Sequence, residues 1–506
     1  MSRYLTDEEY SSLLSENRNL KSQISSLTKG SYIDSEKSKH LRIIKRQEKM
    51  ISSRDNKIDK LSGELYRANK RIKQLEEKVK QLEDENNKYK IQVNKDYTNS
   101  SLPSSSSSFI KKINNSRQKT DRKPGGQLGH KGHPRRSYTP DEIIYLKPDD
   151  NILKDNNYIK TDKQIRKQVI DVSLSFKVIE YVADVYINKT DNSRYHQSFP
   201  NNINNEVNYG SSIKGLAYLL NNYCNVSIDK IIELFKQLSS DKLILSKGFI
   251  NNLNKQFSDK SKEELNDLFT TLTKADVLYT DNTNGRVNGK SKFIYVTTDK
   301  NKVIYNYADH KGHKGIELTP VSSSLATLVH DHDKSFYSYG KNHQECLAHI
   351  LRYLESSIEN EPDITWSSKM KTLIQEIIHE HKKNNGVFDE KKINEYKSRY
   401  KQIIETGLIE YKDNPPNKYY MDGFNLLKRM REYEDSTLYF LNHPQVNYTN
   451  NISERLLRKV KRKMKQVTTF RSEDNLSYYL DGLSIIETTK ANNNNIYQEI
   501  CKIFDK

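Results

Sequence analysis

From Ile44 to Val93 an apolar residue falls on every seventh position: Ile44, Ile51, Ile58, Leu65, Ile72, Val79 and Val93, with Asn86 the one polar interruption. Leu61, Ala68, Leu75, Leu82 and Tyr89 trace a companion seam. A straight α-helix drifts against a strict heptad, so a chain that keeps the repeat this long is committed to supercoiling around a partner helix. β-branched residues dominate the first seam and Leu is common in the second, which favours a parallel dimer, and a lone Asn fixes its register. Arg71 with Glu76, Lys78 with Glu83, and Glu85 with Lys90 have the spacing that attracts across such a dimer. Leu13, Leu20 and Leu27 mark a shorter helix before Gly30, so antiparallel folding of the chain on itself is the other arrangement open to it.

The 506 residues leave room for several domains and carry a net charge of +18, which calls for a polyanionic partner. Cys224, Cys346 and Cys501 are too few and too scattered for a disulfide framework or a four-thiolate zinc site, so a reducing, cytoplasmic setting is expected. No apolar stretch is long enough to span a bilayer, and the polar start Met1–Tyr10 does not read as a secretory signal.

After the heptads, a serine tract ending at Ser108 reads as a flexible linker. Lys111 to Arg136 then holds nine Lys or Arg against one Asp, around Gly125-Gly126-Gln127-Leu128-Gly129-His130-Lys131-Gly132-His133. Such an arm suits a DNA backbone or minor groove, through Lys111, Lys112, Arg117, Lys119, Arg122, Lys123, Lys131, Arg135 and Arg136. It lacks the Walker spacing of a nucleotide loop. Tyr138 to Pro200 alternates apolar and polar residues, as a small β-rich module does. From Ile213 the period turns helical. Ile228–Leu238 and Ser246–Phe257, the second capped by Ser246, form a candidate helix-turn-helix presenting Lys247, Asn251, Asn252 and Lys255.

Two short apolar runs each reach an aspartate, Val277-Leu278-Tyr279-Thr280-Asp281 and Leu325-Ala326-Thr327-Leu328-Val329-His330-Asp331. Between them, a turn at Asn282-Thr283-Asn284-Gly285 and two strands, Lys292–Thr297 and Lys302–Tyr307, predict three antiparallel strands. A helical crossover near His313 to Ser324 then leads to a fourth strand beside the first. That order describes a ribonuclease H-like sheet, and it would bring Asp281 and Asp331 together. Downstream, Asn450-Asn451-Ile452-Ser453-Glu454-Arg455-Leu456-Leu457-Arg458 places a glutamate near the start of a basic helix, with Ser453 or Asn451 as its cap. Carboxylates gathered at one place offer the hard oxygen ligands Mg²⁺ prefers.

The serine tract, the Lys123–His133 arm, Asp281 with Val287-Asn288-Gly289-Lys290, and Val329-His330-Asp331-His332 occur in one order with three further motifs. These are Cys346-Leu347-Ala348-His349-Ile350-Leu351-Arg352, the Asn450–Arg458 segment, and Phe470-Arg471-Ser472. Together they resemble the transposases of the insertion sequence 66 family, over nearly the whole chain from about Leu61 to Ile500.

The resemblance implies a DDE transposase with an α/β ribonuclease H-like catalytic core and a helical insertion. An N-terminal coiled coil, a basic linker and a small β/helical DNA-binding region precede the core. It carries the acidic triad onto Asp281, Asp331 and Glu454, which would hold two Mg²⁺ ions, with Mn²⁺ as a substitute. It also implies cleavage of transposon ends followed by strand transfer into target DNA. Arg455, Arg458, Lys461 and Arg462, with Lys459, Lys463 and Lys465, would give the Glu454 helix a phosphate-binding surface. A homodimer through the coiled coil, accessory proteins of the same element and a nucleoid-associated location complete the expectation.

The expected boundaries are 1–98 for the helices and coiled coil, 99–137 for linker and arm, and 138–205 for the β-rich module. They continue with 206–270 for the helical region, 271–490 for the catalytic domain with an insertion at about 360–440, and 491–506 for a tail. The chain departs from the family in three places. The 138–205 region has no cysteine, so no zinc is expected there. Asn282 stands where the family usually has Glu, which keeps a catalytically inactive, DNA-binding remnant or regulator as the alternative. Asp333 offers a second carboxylate two positions from Asp331. His330 and His332 are candidates to contact DNA or orient a carboxylate, and Cys346 and His349 to pack in support of the Asp331 strand.

Overall fold

The structure, a computed structural model, describes residues 6–28, 35–95, 129, 137–172, 175–200 and 203–506. The nine basic residues of the Lys111–Arg136 arm that were expected to bind DNA lie outside the described residues.

Residues 1–95 form one unit. Helix α1 (Asp7–Thr28) lies against the first part of α2 (Ser35–Asn94), and Lys21 pairs with Asp55. There Ile44, Ile51 and Ile58 are half-buried, whereas Leu65, Ile72, Val79 and Val93 beyond it are exposed. The chain therefore folds back on the first half of its apolar seam and leaves the second half open.

The second unit begins with sparse structure. Between residues 137 and 200 stand a short helix, α3 (Asp150–Lys154), and a hairpin of β1 (Val185–Ile187) and β2 (Arg194–His196), whose strand residues are all exposed. Four helices follow: α4 (Ser211–Asn222), α5 (Ile228–Leu238), α6 (Lys247–Lys260) and α7 (Lys262–Thr273). Ser246 caps α6 by accepting the Phe249 N–H at 3.1 Å, while Ile250, Leu253 and Phe257 turn inward. Lys247, Asn251, Asn252 and Lys255 all face outward.

A five-stranded mixed sheet occupies the centre: β3 (Val277–Val287), β4 (Lys290–Thr298), β5 (Val303–Ala308), β6 (Thr327–His330) and β7 (Asn342–Glu345), in the order β5-β4-β3-β6-β7. β3, β4 and β5 are antiparallel, while β6 and β7 run parallel to β3. The crossover into β6 is short, with α8 (His313–Ile316) and a 3₁₀ turn at Pro320–Ser323. This mixed α/β order is compatible with a ribonuclease H-like core.

The turn expected at Asn282–Gly285 is not one. β3 continues to Val287 in register with β4, and the chain reverses at Asn288 and Gly289, with φ of 47° and 79°. Those left-handed conformations are what a two-residue hairpin needs, and Asn-Gly supplies them at little cost. Asp281 consequently sits within a strand rather than at its end.

Beyond β7 come α9 (Leu347–Asn360), α10 (Trp366–Lys383), α11 (Glu390–Asp413), α12 (Asp422–Glu432) and α13 (Glu434–Leu438). α9 to α12 share a core around Trp366, Ile374, Tyr396, Tyr400 and Leu427. The chain then returns to the sheet with α14 (Asn451–Val467) and α15 (Glu473–Ala491), and closes with α16 (Ile496–Asp505).

Alternation on β4 builds both faces of the sheet. Ile294 and Val296 pack with Leu456, Val460, Tyr479 and Leu480 of α14 and α15, whereas Tyr295 meets Leu272, Ile316 and Phe336 on the other side. The 491–506 segment, expected as a tail, forms α16, and its Ile500, Ile503 and Phe504 are buried against Tyr218 and Phe257. Among the described residues no helix is long and apolar enough to cross a membrane.

Candidate active site

Strand register brings the first two carboxylates together. Tyr279 of β3 stands opposite Val329 of β6, so Asp281 and Asp331 each follow a paired position by two residues. Adjacent strands lie about 4.8 Å apart. β6 itself ends at His330, so Asp331 projects just past it.

The start of α14 is fastened to the same place. Asn450, not Asn451 or Ser453, precedes the helix, and its side chain makes no helix cap. It donates Nδ2–H to the Thr280 carbonyl at 2.7 Å, while its backbone N–H reaches the Cys346 sulfur at 3.2 Å. Glu454 lies in the first turn of that helix, where the macrodipole favours a carboxylate.

The electrostatics agree with this proximity. Burial raises the Asp281 pKa well above the usual carboxylate range, and the Asp331 and Glu454 charges push it further, against the Asn282 N–H and Lys311. Burial also raises Asp331, aided by Asp333 and opposed by Lys311 and Arg429. Oδ1 of Asp331 and Oε1 of Glu454 are buried without a hydrogen-bond partner. Unsatisfied oxygens near other carboxylates are what a divalent cation relieves, although among the described residues the group whose ligand atoms all lie within 4.8 Å of one another is Cys346, His349 and Glu454 rather than the three acids.

Asp333 is otherwise occupied. It accepts the Ser335 N–H at 3.1 Å, capping a 3₁₀ turn, and pairs with Lys311 at 3.0 Å. Those donors hold its pKa low despite its burial. Since β6 stops before Asp331, Asp333 does not share a strand face with it.

Basic groups surround the acids. Lys311, in the loop after β5, keeps its charge against partial burial through Asp333, Asp331 and Asp281. Arg352 Nη2 lies 3.6 Å from Glu454 Oε1, and Arg458 donates to Glu454 Oε2 at 3.2 Å. Glu454 thus makes the i,i+4 surface pair with one oxygen and keeps the other inside. Lys311 and Arg429 were not singled out in the sequence. The signal available for Lys311 was the run His310-Lys311-Gly312-His313-Lys314-Gly315 directly after a strand; for Arg429 there was none.

Of the expected phosphate-binding surface on α14, Arg455, Arg458 and Arg462 are exposed. Lys461 is half-buried and donates to the Asn284 carbonyl at 2.6 Å. Lys459 pairs with Glu487, and Lys463 is buried, donating to the Asn221 carbonyl at 2.8 Å. Lys463 follows Leu456 and Val460 on the apolar face, so helix geometry takes it out of the basic surface.

His330 is turned into the interior. It is fully buried, its Nε2 lies 3.1 Å from His343 Nδ1, and burial pushes its pKa down to about 4. His332 bonds Glu345 at 2.5 Å. Glu345 is fully buried on β7, yet the His332 and Arg429 donors hold its pKa down to about 2 against that burial. Through this group, Arg429 of α12 is connected to the residue following Asp331.

Cys346, His349 and Glu454 form a further cluster, with one potential ligand atom of each within 4.8 Å of the others. Burial lifts the Cys346 thiol to about 11, and burial with Arg352 and Arg429 lowers His349 to about 3. The 3.7 Å approach of His349 Nδ1 to Glu454 Oε1 is therefore a neutral imidazole facing a carboxylate rather than an ion pair.

Residues 227–477 match the family model described as "Transposase IS66 family". No curated protein matches the chain.

Proposed function

Given that the chain belongs to the transposase IS66 family, we propose that it is a DDE enzyme of ribonuclease H-like fold that cleaves the ends of its element and joins them to target DNA. Asp281, Asp331 and Glu454 would hold two Mg²⁺ ions, with Mn²⁺ as a substitute. The observation that carries this reading is the pair of unpartnered buried oxygens, Asp331 Oδ1 and Glu454 Oε1, beside a third carboxylate whose pKa their charges raise.

Ions held by Asp281, Asp331 and Glu454 would supply Lewis-acid activation of the attacking hydroxyl and stabilisation of the departing 3′-oxygen. The chain's own groups orient and neutralise. Asp281, on the central strand, and Asp331, at the end of its neighbour, keep their carboxylates fixed to the sheet. Asn450 sets the position of Glu454 relative to them. Lys311, paired with Asp333, and Arg352, 3.6 Å from Glu454, are partly exposed and would take non-bridging phosphate oxygens. Arg455, Arg458 and Arg462 supply an outward cationic face for the DNA backbone.

The second half of the α2 seam, Leu65 to Val93, supports pairing with a second copy, because its apolar positions are exposed within one chain and its flanking charges are complementary.

The decisive experiment is Asp281→Asn assayed on labelled element ends with Mg²⁺ and with chelator. Cleavage should vanish in the variant and in chelator while DNA binding stays near wild type; a variant that still cleaves refutes the assignment. Asn282, in place of the family's Glu, favours the second reading, a DNA-binding remnant or regulator. Wild-type protein that binds ends but never nicks them under any divalent ion would establish that reading instead.

A further inference from the structure

His349 Nδ1 and Glu454 Oε1 are both buried, and neither has a hydrogen-bond partner. They face each other at 3.7 Å, beyond hydrogen-bond range. Arg352 Nη2, at 3.6 Å from the same Glu454 oxygen, does not close a hydrogen bond either, and native proteins rarely leave buried polar atoms without a partner to satisfy them. Two donors on one ion, each bonded at about 2.1 Å, stand roughly 3 to 4 Å apart, which matches this gap.

Both groups are held there by the backbone. His349 is in the first turn of α9, whose start is pinned by the Cys346 N–H to the His330 carbonyl at 2.9 Å and the Leu347 N–H to the Tyr448 carbonyl at 3.0 Å. Glu454 is in the first turn of α14, pinned through Asn450. Ligands mounted on rigid helix starts are preorganised for an ion. Cys346 is near enough to join them, but its sulfur already accepts the Asn450 N–H.

Resting on the metal-dependent reading above, we infer that His349 is a protein ligand of the ion that Glu454 holds, making this half of the site a mixed nitrogen–oxygen site. Imidazole is a better ligand for a transition-series cation than for Mg²⁺, so this position favours Mn²⁺ while the Asp281–Asp331 side remains a hard oxygen site.

The test loads the full-length protein with Mn²⁺ and records electron spin-echo envelope modulation, which reads directly coordinated nitrogen without any turnover. Wild type should show nitrogen coupling that disappears in His349→Gln and survives in His332→Gln, whose imidazole is engaged by Glu345. Mn²⁺ affinity in His349→Gln should fall roughly 10- to 100-fold, with a much smaller change for Mg²⁺. His349→Asn serves if the glutamine variant loses its circular dichroism. Bound Mn²⁺ without nitrogen coupling, or coupling that persists in the His349 variants, overturns this inference and leaves the carboxylate site standing. Wild type that binds no Mn²⁺ or Mg²⁺ overturns the carboxylate site together with it.

Discussion

Asn450 donates its side-chain N–H to the carbonyl oxygen of Thr280 at 2.7 Å, across 170 residues of chain. This one bond ties the start of the Glu454 helix to the strand residue immediately before Asp281. It fixes the glutamate relative to the first aspartate although the helices of 366–432 intervene in sequence. Both partners are buried, so no water competes for the bond.

Replacing Asn450 with Ala should therefore act twice. The Thr280 carbonyl loses its donor, which costs about 1–3 kcal/mol and lowers the urea midpoint. End cleavage should fall by more than stability explains, roughly 10²-fold for a displacement near 1 Å, while DNA binding stays close to wild type. Cleavage that tracks the folded fraction alone would show that the bond does not position Glu454.

Glu345 predicts an acid limit to stability. Its carboxylate has an ordinary pKa of 4.5 and is held at about 2 in the fold by His332 and Arg429. A depressed folded pKa means that the stabilisation is complete above 4.5 and is lost as pH falls through about 2. Urea midpoints of wild type should drop across that window, and those of Glu345→Gln should drop less. At neutral pH the variant should be less stable by roughly 3 kcal/mol, because the largely buried Arg429 loses its counter-charge. Equal slopes in the two proteins would exclude Glu345 as the source.

Gly482 sets two familiar effects against each other. It lies within α15, where Ala would improve helix propensity by about 1 kcal/mol. A Cβ there would run into the Tyr218 hydroxyl, and Tyr218 is stacked on Phe257 at 4.4 Å and edge-on to Phe504 at 5.7 Å. With that ring unable to retreat, overpacking at about 1–3 kcal/mol should win. Gly482→Ala is thus expected to unfold at lower urea than wild type, and an equal or higher midpoint would contradict the packing.

Ile72 and Val79 are 52% and 51% exposed in the single chain. If a second copy covers them, Ile72→Asp with Val79→Asp should halve the mass measured by light scattering after gel filtration. Deleting residues 1–98 should do the same. An unchanged mass in both would remove the coiled coil as the dimer contact.

Local patterns carried much of what is seen in the described residues. The runs leading to Asp281 and Asp331 are apolar enough to read as buried strands, and the basic, periodic Asn450–Arg458 segment reads as a helix. β7 was invisible because Asn342-His343-Gln344-Glu345 has no apolar residue at all. It is held by long-range bonds instead, Gln344 accepting the Phe440 N–H at 2.8 Å and Glu345 accepting from Arg429 at 2.6 Å. The misplaced turn after Asp281 has a related cause. Asn-Thr-Asn-Gly looks like a loop by composition, yet pairing with β4 carries these polar residues through as strand.

By itself, the sequence determined the heptad seam, the Ile228–Leu238 and Glu454 helices, the two aspartate-bearing strands and the family, since each rests on residue type and spacing along a short stretch. Only the tertiary structure decided that α1 covers half the seam, that Lys463 turns inward, that Asp333 serves as a cap, and that His349 faces Glu454. Those outcomes depend on which remote groups meet in a low-dielectric interior, where an unpaired charge or dipole is costly. No local pattern records which partner will satisfy it.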